Sequence, residues 1–375
     1  MSASDDLGFM RLALRLARRA YGQVSPNPLV GAVLVKRGQI IGQGWHHRAG
    51  QPHAEIEALR DAERRGESAK GATLYVTLEP CCTHGRTPPC TDAILRHSLR
   101  RVVVAATDPN PRHAGHGFEL LREAGVEVTT GILAAESARM NESFNHWIVH
   151  RTPFVTVKSA MTLDGRIATA DGESKWITGE RARREVMRLR AGADAILVGV
   201  GTLLADDPAL SVRTGKAVQG RRRIVLDTRA RTPLTAKLVT DEFSALTTVV
   251  VGESAPKRRA QALAKRVRVL TVPEKQRHID LAQLLPLLGA ENITSLLVEG
   301  GGEVNASFLL GGHSHRVAFF YAPKILGGRT AHHAVEGEGA KSLAESLILS
   351  ELAWRQLGPD LLLTARVGSA LATGH

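Results

Sequence analysis

Short apolar runs and amphipathic stretches alternate along almost the whole chain, and this alternation restricts the fold more than any other feature. "LVGAVLV" (29–35) and "QIIGQGW" (39–45) read as strands joined by a turn containing glycine. "ATLYVTLEP", ended by Pro80, "RRVVVAATD" and "VEVTTG" read as further strands. Between them, "AEIEALRDAERRG" (54–66), "TDAILRHS" and "HGFELLREAG" read as helices, with stops at Gly66 and Gly125 and Thr91 as an N-cap. Near the start, Met10, Ala13, Leu14 and Ala17 fall at i, i+3, i+4 and i+7. With Asp5 and Asp6 beside them, they predict a first amphipathic helix rather than a targeting peptide. Strands alternating with helices imply a largely parallel α/β sheet.

The pattern breaks at "NHWIVHRTPF", where Pro153 stops a helix and "FVTVKSA" opens a new strand. A boundary near Arg151 divides the 375 residues into expected domains 1–150 and 151–375, each close to the ~100–200 residues usual for one domain. The second half alternates again. "DAILVGVG", "RRRIVLDT", "LTTVVVG", "VRVLTV" and "ITSLLVEGGG" are strand candidates. "RARREVMRLRAG" and "IDLAQLLPLLG" are helix candidates, and Pro286 is expected to kink or end the latter. No apolar run reaches the ~18–20 residues of a membrane span.

All three cysteines fall within "LEPCCTHGRTPPC" (78–90). An odd count in a long chain argues against a disulfide framework and for metal binding. "HAE" (53–55) precedes them, giving His-x-Glu, then Pro-Cys, then a further cysteine, the order of a zinc deaminase. The residue types suit that chemistry. Three protein ligands leave a fourth zinc position for water, whose pKa drops to roughly 7. A glutamate that is not a ligand then carries a proton to the leaving amine. The spacing alone permits two ligand sets, His53/Cys81/Cys90 or His53/Cys81/His84, with Cys82 as a small packing residue.

The formal net charge is +12, and most of the excess lies beyond residue 150. Arginines are dispersed, and three Tyr, four Trp and eight Phe give no base-stacking pattern. Small phosphorylated ligands account for the charge better than nucleic acid does. "LLVEGGGEVNASFL" places Gly300–Gly302 between a strand and a helix, where backbone N–H groups can approach a phosphate. A tight packing turn explains the same glycines equally well.

"SPNPLVGAVLV", "HAEIEAL", "TLEPCCTHGRTPPCTDAI" and "DPNP" closely resemble the deaminase half of the bifunctional riboflavin-biosynthesis deaminase/reductase family. "KSAMTLDGRIATADGESKWITG" and "LRAGADAILVGVGTLLADDPALSVR" resemble its reductase half. The resemblance implies an N-terminal cytidine-deaminase-like three-layer α/β/α domain and a C-terminal dihydrofolate-reductase-like α/β domain. It implies Zn2+ on His53, Cys81 and Cys90, Glu55 as proton shuttle, and Asn27, His46 and Arg86 on the pyrimidine or its phosphate. For His46, a surface histidine beside His47 is the competing reading. At one position this chain departs: family members often carry Cys-Ser-His or Cys-Cys-His where Thr83 precedes His84 here.

For the second domain the resemblance implies NADPH contacts from Ala160, Trp176, Thr202, Asp206, Thr228 and the run Gly301, Gly302, Glu303, Val304, Asn305, Ala306 and Ser307. It implies substrate contacts from Ser174, Arg190, Leu210, Arg213 and Glu299. A solvated helix face is the competing reading for Arg190. In "LDTRARTP", Thr228 and Arg229 suit a ribose 2′-phosphate, whereas Asp227 would suit a 2′-hydroxyl. The implied reactions are hydrolysis of the 2-amino group of 2,5-diamino-6-(5-phosphoribosylamino)pyrimidin-4(3H)-one and NADPH-dependent reduction of its ribosyl chain. The expected partner is a small phosphorylated pyrimidine, not nucleic acid or membrane, and the expected enzyme is a cytoplasmic homo-oligomer, dimer or tetramer. A nucleic-acid base deaminase with a basic accessory domain is the other class compatible with the metal signature.

Overall fold

Five strands build the sheet of the first unit: β1 (Gly31–Lys36), β2 (Gln39–Trp45), β3 (Thr73–Leu78), β4 (Arg101–Ala106) and β5 (Glu127–Thr130). The order is β2-β1-β3-β4-β5. In this computed structural model, residues 3–84, 88–214 and 217–368 are described, and the chain divides into compact units Met1–Arg151 and Thr152–His375.

The first sheet is mixed rather than largely parallel. β3, β4 and β5 run parallel, while β1 is antiparallel to both β2 and β3. The cause is local. Arg37 and Gly38 both take positive φ, 52° and 79°, the two-residue turn that folds a chain back on itself as a hairpin.

Alternate residues face opposite layers. Val33, Val35, Tyr75, Val103 and Ala105 pack on Met10, Ala13 and Leu16 of α1 (Ala3–Ala17). Leu34, Leu74, Val76, Val102 and Val104 pack on α2 (Ala54–Arg64), α3 (Cys90–Arg96) and α4 (His116–Glu123). This is the expected three-layer α/β/α arrangement. α3 begins at Cys90, with Pro89 as N-cap and no capping side chain. Thr91 is therefore not the cap; its hydroxyl donates to the Cys81 carbonyl at 3.4 Å. Two further helices, α5 (Ala134–Met140) and α6 (Glu142–His150), follow β5.

The second unit holds a nine-stranded sheet. Strands 268–272, 247–252, 222–226, 195–199, 295–298, 154–162 and 316–322 are parallel in that spatial order. Strands Asp360–Val367 and Leu349–Leu357 add antiparallel at one edge. Central strands such as Ala195–Gly199 are buried throughout, which is why they read as unbroken apolar runs. The helix Leu281–Ala290 continues through Pro286. Pro286 and Ala282 both lie on the exposed face, so the carbonyl left without its helical partner meets water. Leu284, Leu285 and Leu288 anchor the buried face.

Candidate active sites

The metal cluster is assembled by two strand-to-helix turns. His53 is the N-cap residue of α2, with Glu55 in the first turn. A Cβ on Gly44 would stand 2.4 Å from Ala58 N and 2.5 Å from Ala54 O, so only glycine in β2 lets α2 lie this close. Cys81 follows β3, and Cys90 opens α3.

The three donor atoms lie within 4.8 Å of one another. His53 Nδ1 is 3.3 Å from Cys90 Sγ and 3.5 Å from Cys81 Sγ. Tetrahedral N and S donors around one zinc ion stand roughly 3.5 Å apart, given bond lengths of about 2.0–2.3 Å. The donor set therefore fits zinc in both chemistry and spacing. His84 is exposed and Cys82 reaches toward His113 Nδ1 at 3.6 Å. Neither joins this cluster, which is the only group of its kind among the described residues.

The Cys81 sulfur accepts the Cys90 N–H at 3.3 Å. Hydrogen bonding to the Cys90 thiol, and then to His53, holds Cys81 down at about 4. The Cys81 partner in turn lifts His53 to about 9. Cys90 is pushed up by Cys81 and by burial. Metal ligands of this kind bind as thiolate and neutral imidazole, so ligation is coupled to proton release. Glu55 is 3% exposed, and burial raises its carboxyl above the ordinary range.

His46 is 2% exposed, which rules out the surface-histidine reading. Its Nδ1 pairs with the Pro52 carbonyl at 3.0 Å, and its Nε2 stands 3.0 Å from Asn27 Nδ2. With Nδ1 protonated, Nε2 accepts from the Asn27 amide. Burial lowers the His46 pKa, favouring this neutral form. The His46 and His53 rings meet edge-on at 5.4 Å, so Asn27 and His46 stand beside the metal ligands. Arg86 lies outside the described residues.

In the second unit Ala160, Gly301, Thr202, Asp206 and Thr228 lie at or after the carboxyl ends of four neighbouring parallel strands, where open α/β sheets hold nucleotides. Ala160 lies near the end of Phe154–Thr162. Gly301 follows Ser295–Val298, and Thr202 and Asp206 lie on the helix after Ala195–Gly199. Thr228 follows Arg222–Leu226.

The three glycines divide in role. A Cβ on Gly300 would stand 2.5 Å from Val304, and one on Gly302 would stand 2.6 Å from the His333 carbonyl. Those two serve packing. A Cβ on Gly301 would meet nothing nearer than Thr202 Oγ1 at 3.8 Å, leaving that backbone open to a ligand. Gly302, Glu303, Val304, Asn305, Ala306 and Ser307 form the first turns of the helix Gly302–Leu309. Asn305 and Ala306 point into the core.

Asp227 is fully buried and accepts from Arg231 N, Thr232 N and Thr232 Oγ1 at 2.7–2.8 Å. The carboxylate is therefore not presented to a ribose hydroxyl. Arg190 forks onto Glu299 at 2.6 and 3.0 Å, and its side chain is only 15% exposed, so it is not a solvated helix face. Lys158 approaches the same carboxylate at 3.4 Å. Burial alone would raise Glu299, but Arg190 and Lys158 bring it to about 2.

Ser174 Oγ donates to Asp206 Oδ1 at 3.2 Å. Trp176, 67% exposed, Ser174 and Lys324 border a cleft of about 460 Å³. Leu210 is buried at positive φ, and Arg213 is exposed on Val212–Thr214.

Sequence reasoning missed several side chains that shape these sites. Glu79 accepts N–H groups from Asp108, Gly115 and Gly117 at 3.0–3.1 Å. Asp164 accepts from the Thr162 hydroxyl and from Gly327 and Leu326, and that set, led by Thr162, holds it at about 2. Lys158 was the detectable one, a lone charge inside the apolar run "FVTVKSA".

A metal-binding His/Cys/Cys site in an α/β/α unit, followed by a unit with a nucleotide-type sheet, defines a metal-dependent deaminase joined to a reductase. Residues 3–106 match the cytidine and deoxycytidylate deaminase zinc-binding region, and residues 153–363 match the RibD C-terminal domain. The chain is 44% identical to riboflavin biosynthesis protein RibD of Aquifex aeolicus, covering 96% of this chain and 97% of that protein. Identity to the Bacillus amyloliquefaciens RibD is 42%, covering 95% of each. Among solved structures, Acinetobacter baumannii RibD, form 1, superposes with a TM-score of 0.87 at 39% identity, covering 98% of this chain and 100% of that one. The Thermotoga maritima diaminohydroxyphosphoribosylaminopyrimidine deaminase/5-amino-6-(5-phosphoribosylamino)uracil reductase gives 0.82 at 34% identity, covering 97% and 99%. The chain belongs to the RibD family of riboflavin-biosynthesis enzymes. Full-length agreement of this kind does not favour a nucleic-acid base deaminase.

Proposed function

We propose that the first unit deaminates 2,5-diamino-6-(5-phosphoribosylamino)pyrimidin-4(3H)-one and that the second reduces the product with NADPH to 5-amino-6-(5-phosphoribitylamino)uracil. The observation that carries this reading is the closure of His53 Nδ1 on two cysteine sulfurs beside the buried Glu55, in a chain whose remainder matches the RibD C-terminal domain.

When bound, zinc supplies a Lewis acid that acidifies a water molecule. His53, Cys81 and Cys90 would hold it. Glu55 would take a proton from the water as its oxygen bonds the ring carbon bearing the amine, then pass that proton to the amine, so that the C–N bond breaks and ammonia leaves. Asn27 and neutral His46 orient the pyrimidine edge, and Arg86 contributes charge toward the phosphate.

In the second unit NADPH, when bound, supplies a hydride to the sugar C1. The Gly301 backbone, Thr202, Thr228 and Asp206 hold the dinucleotide, while Ala160 and Trp176 border the nicotinamide end. Ser174, Leu210 and Arg213 border the substrate, and Glu299, fixed by Arg190, faces its sugar chain.

No helix among the described residues is long and apolar enough to cross a membrane. We place the enzyme in the cytoplasm as a homo-oligomer, dimer or tetramer. The edge strand Leu349–Leu357 carries Leu352 and Trp354, 56% and 57% exposed, the type of apolar edge that a second copy covers. Light scattering during size exclusion checks that point.

Mass analysis after incubation with the diamino substrate tests the whole reading. Without NADPH the expected product is deaminated and still ribosyl; with NADPH it is ribityl. Recovery of unchanged substrate in both reactions contradicts it.

A further inference from the structure

The segment that carries Asn27 to His46 is held from 112 residues away. Leu29 N–H donates to Asn141 Oδ1 at 2.7 Å, and Asn141 Nδ2 donates to the Leu29 carbonyl at 2.9 Å. One carboxamide thus pairs both backbone groups of a single residue, as a neighbouring strand would. Asn141 is 4% and Leu29 8% exposed, so water is not a ready substitute partner for either Leu29 group.

Leu29 is well placed to transmit this constraint. Asn27 lies two residues before it. The following residue, Val30, accepts the His46 N–H at 2.9 Å. The Asn27–His46 pair is therefore tied to Leu29 from both sides.

A second tether issues from α5, the helix that Asn141 caps at its C-terminal end. Ser137, 1% exposed, donates to the Thr77 carbonyl at 2.6 Å, and Thr77 Oγ1 accepts Gly31 N–H at 3.1 Å. Thr77 lies on β3, four residues before Cys81. Ser137 and Asn141 are spaced i, i+4 and so share one side of the α5 turn. One side of this turn therefore braces the strand leading to the metal ligand and the segment bearing the pyrimidine contacts. The match to the deaminase zinc-binding region ends at residue 106, so this brace is outside it.

We propose that Asn141 is a positioning residue for deamination, acting through Leu29 to fix the Asn27–His46 pair; this rests on the deaminase reading of the first unit. The chemistry is particular to a carboxamide. It offers an acceptor and a donor side by side, whereas aspartate keeps only acceptors and leucine neither. Asn141→Leu leaves two buried backbone groups unpaired.

The test uses the full chain with Asn141→Leu and Asn141→Asp. Zinc content, deaminase KM and kcat, NADPH oxidation with the deaminated intermediate, and hydrogen exchange of the Leu29 peptide are measured. Small displacements of binding groups cost up to about 10²-fold. Asn141→Leu is accordingly expected to raise the deaminase KM by about 10- to 100-fold, with a smaller fall in kcat. Zinc content and the reductase rate stay within twofold, and protection at Leu29 falls. Asn141→Asp retains the acceptor for Leu29 N–H and is expected to recover part of both KM and protection. If Asn141→Leu does not fold, Asn141→Asp is scored alone, with the same split expected at smaller size. A KM within twofold of wild type in the folded variants overturns the proposal. So does parallel loss of zinc, deamination and reduction, which would make Asn141 a general stability residue. Failure of the wild-type chain to deaminate would instead overturn the functional reading, before any variant is compared.

Discussion

The two units solve the problem of building a site in different ways. In the first, the metal donors come from two turns of one sheet, and all three atoms fall within 4.8 Å. In the second, most of the residues proposed to hold the cofactor are distributed over the ends of four parallel strands. A metal ion demands a few donors at fixed distances, so the first site is concentrated in individual side chains. A dinucleotide spans many contacts and leans on backbone at strand ends, so the second is diffuse. Single substitutions should therefore be close to all-or-none in the first unit and graded in the second.

The largest contrast is expected from Cys90→Ser. It should lose zinc and deamination together while NADPH oxidation with the deaminated intermediate persists. Cys82→Ser, which alters a thiol outside the donor cluster, should keep both. Metal content by atomic emission decides the matter, and a fully loaded Cys90→Ser would break the comparison at its strongest point.

Glu55→Gln is expected to keep zinc and lose deamination by about 10²–10⁴, the usual contribution of a general acid–base group. A fall below tenfold would remove Glu55 as the proton carrier.

The Glu299 cluster predicts a pH effect in the second unit. Its folded pKa of about 2 lies below the ordinary 4.5. The carboxylate therefore stabilises the fold above about 4.5, and that contribution is lost as pH falls toward about 2. Between these values the melting temperature of the full chain should fall with decreasing pH more steeply in wild type than in Glu299→Gln. Parallel curves would mean that the pairing with Arg190 and Lys158 does not shift Glu299.

The smallest effect is expected from Arg229→Ala. Arg229 is exposed and reaches the Ser254 carbonyl only at 3.5 Å. A 2′-phosphate contact predicts a several-fold rise in KM for NADPH and little change for NADH, of the order of one charge-assisted hydrogen bond. Equal effects on the two cofactors would shift any preference to Thr228 or the glycine turn.

How much of this was legible in the sequence follows from the same contrast. His53, Glu55, Cys81 and Cys90 announce themselves because the chemistry permits few residue types. Spacing alone left Cys90 and His84 as rivals, and the fold brings Cys90 rather than His84 into the cluster. The buried parallel strands were visible as apolar runs. The hidden features depend on partners far along the chain. Glu79 holds the turn around Asp108–Gly117 and Asn141 holds Leu29, and a lone polar residue in the sequence gives no sign of which backbone it will meet. The edge strand Leu349–Leu357 escaped detection because it is exposed along nearly its whole length and lacks the alternation of a half-buried strand. Helix α3 begins one residue before its expected cap because Cys90 packs inward as the first residue of that helix.

Chelation of the intact enzyme tests most directly the claim that one chain holds a metal site and an independent reductase site. After dialysis against a zinc chelator, deamination of the diamino substrate should disappear and return on adding zinc. NADPH oxidation with the deaminated intermediate should be unchanged throughout. Deamination that survives complete removal of metal, or reduction that is lost with it and restored by it, would contradict the account.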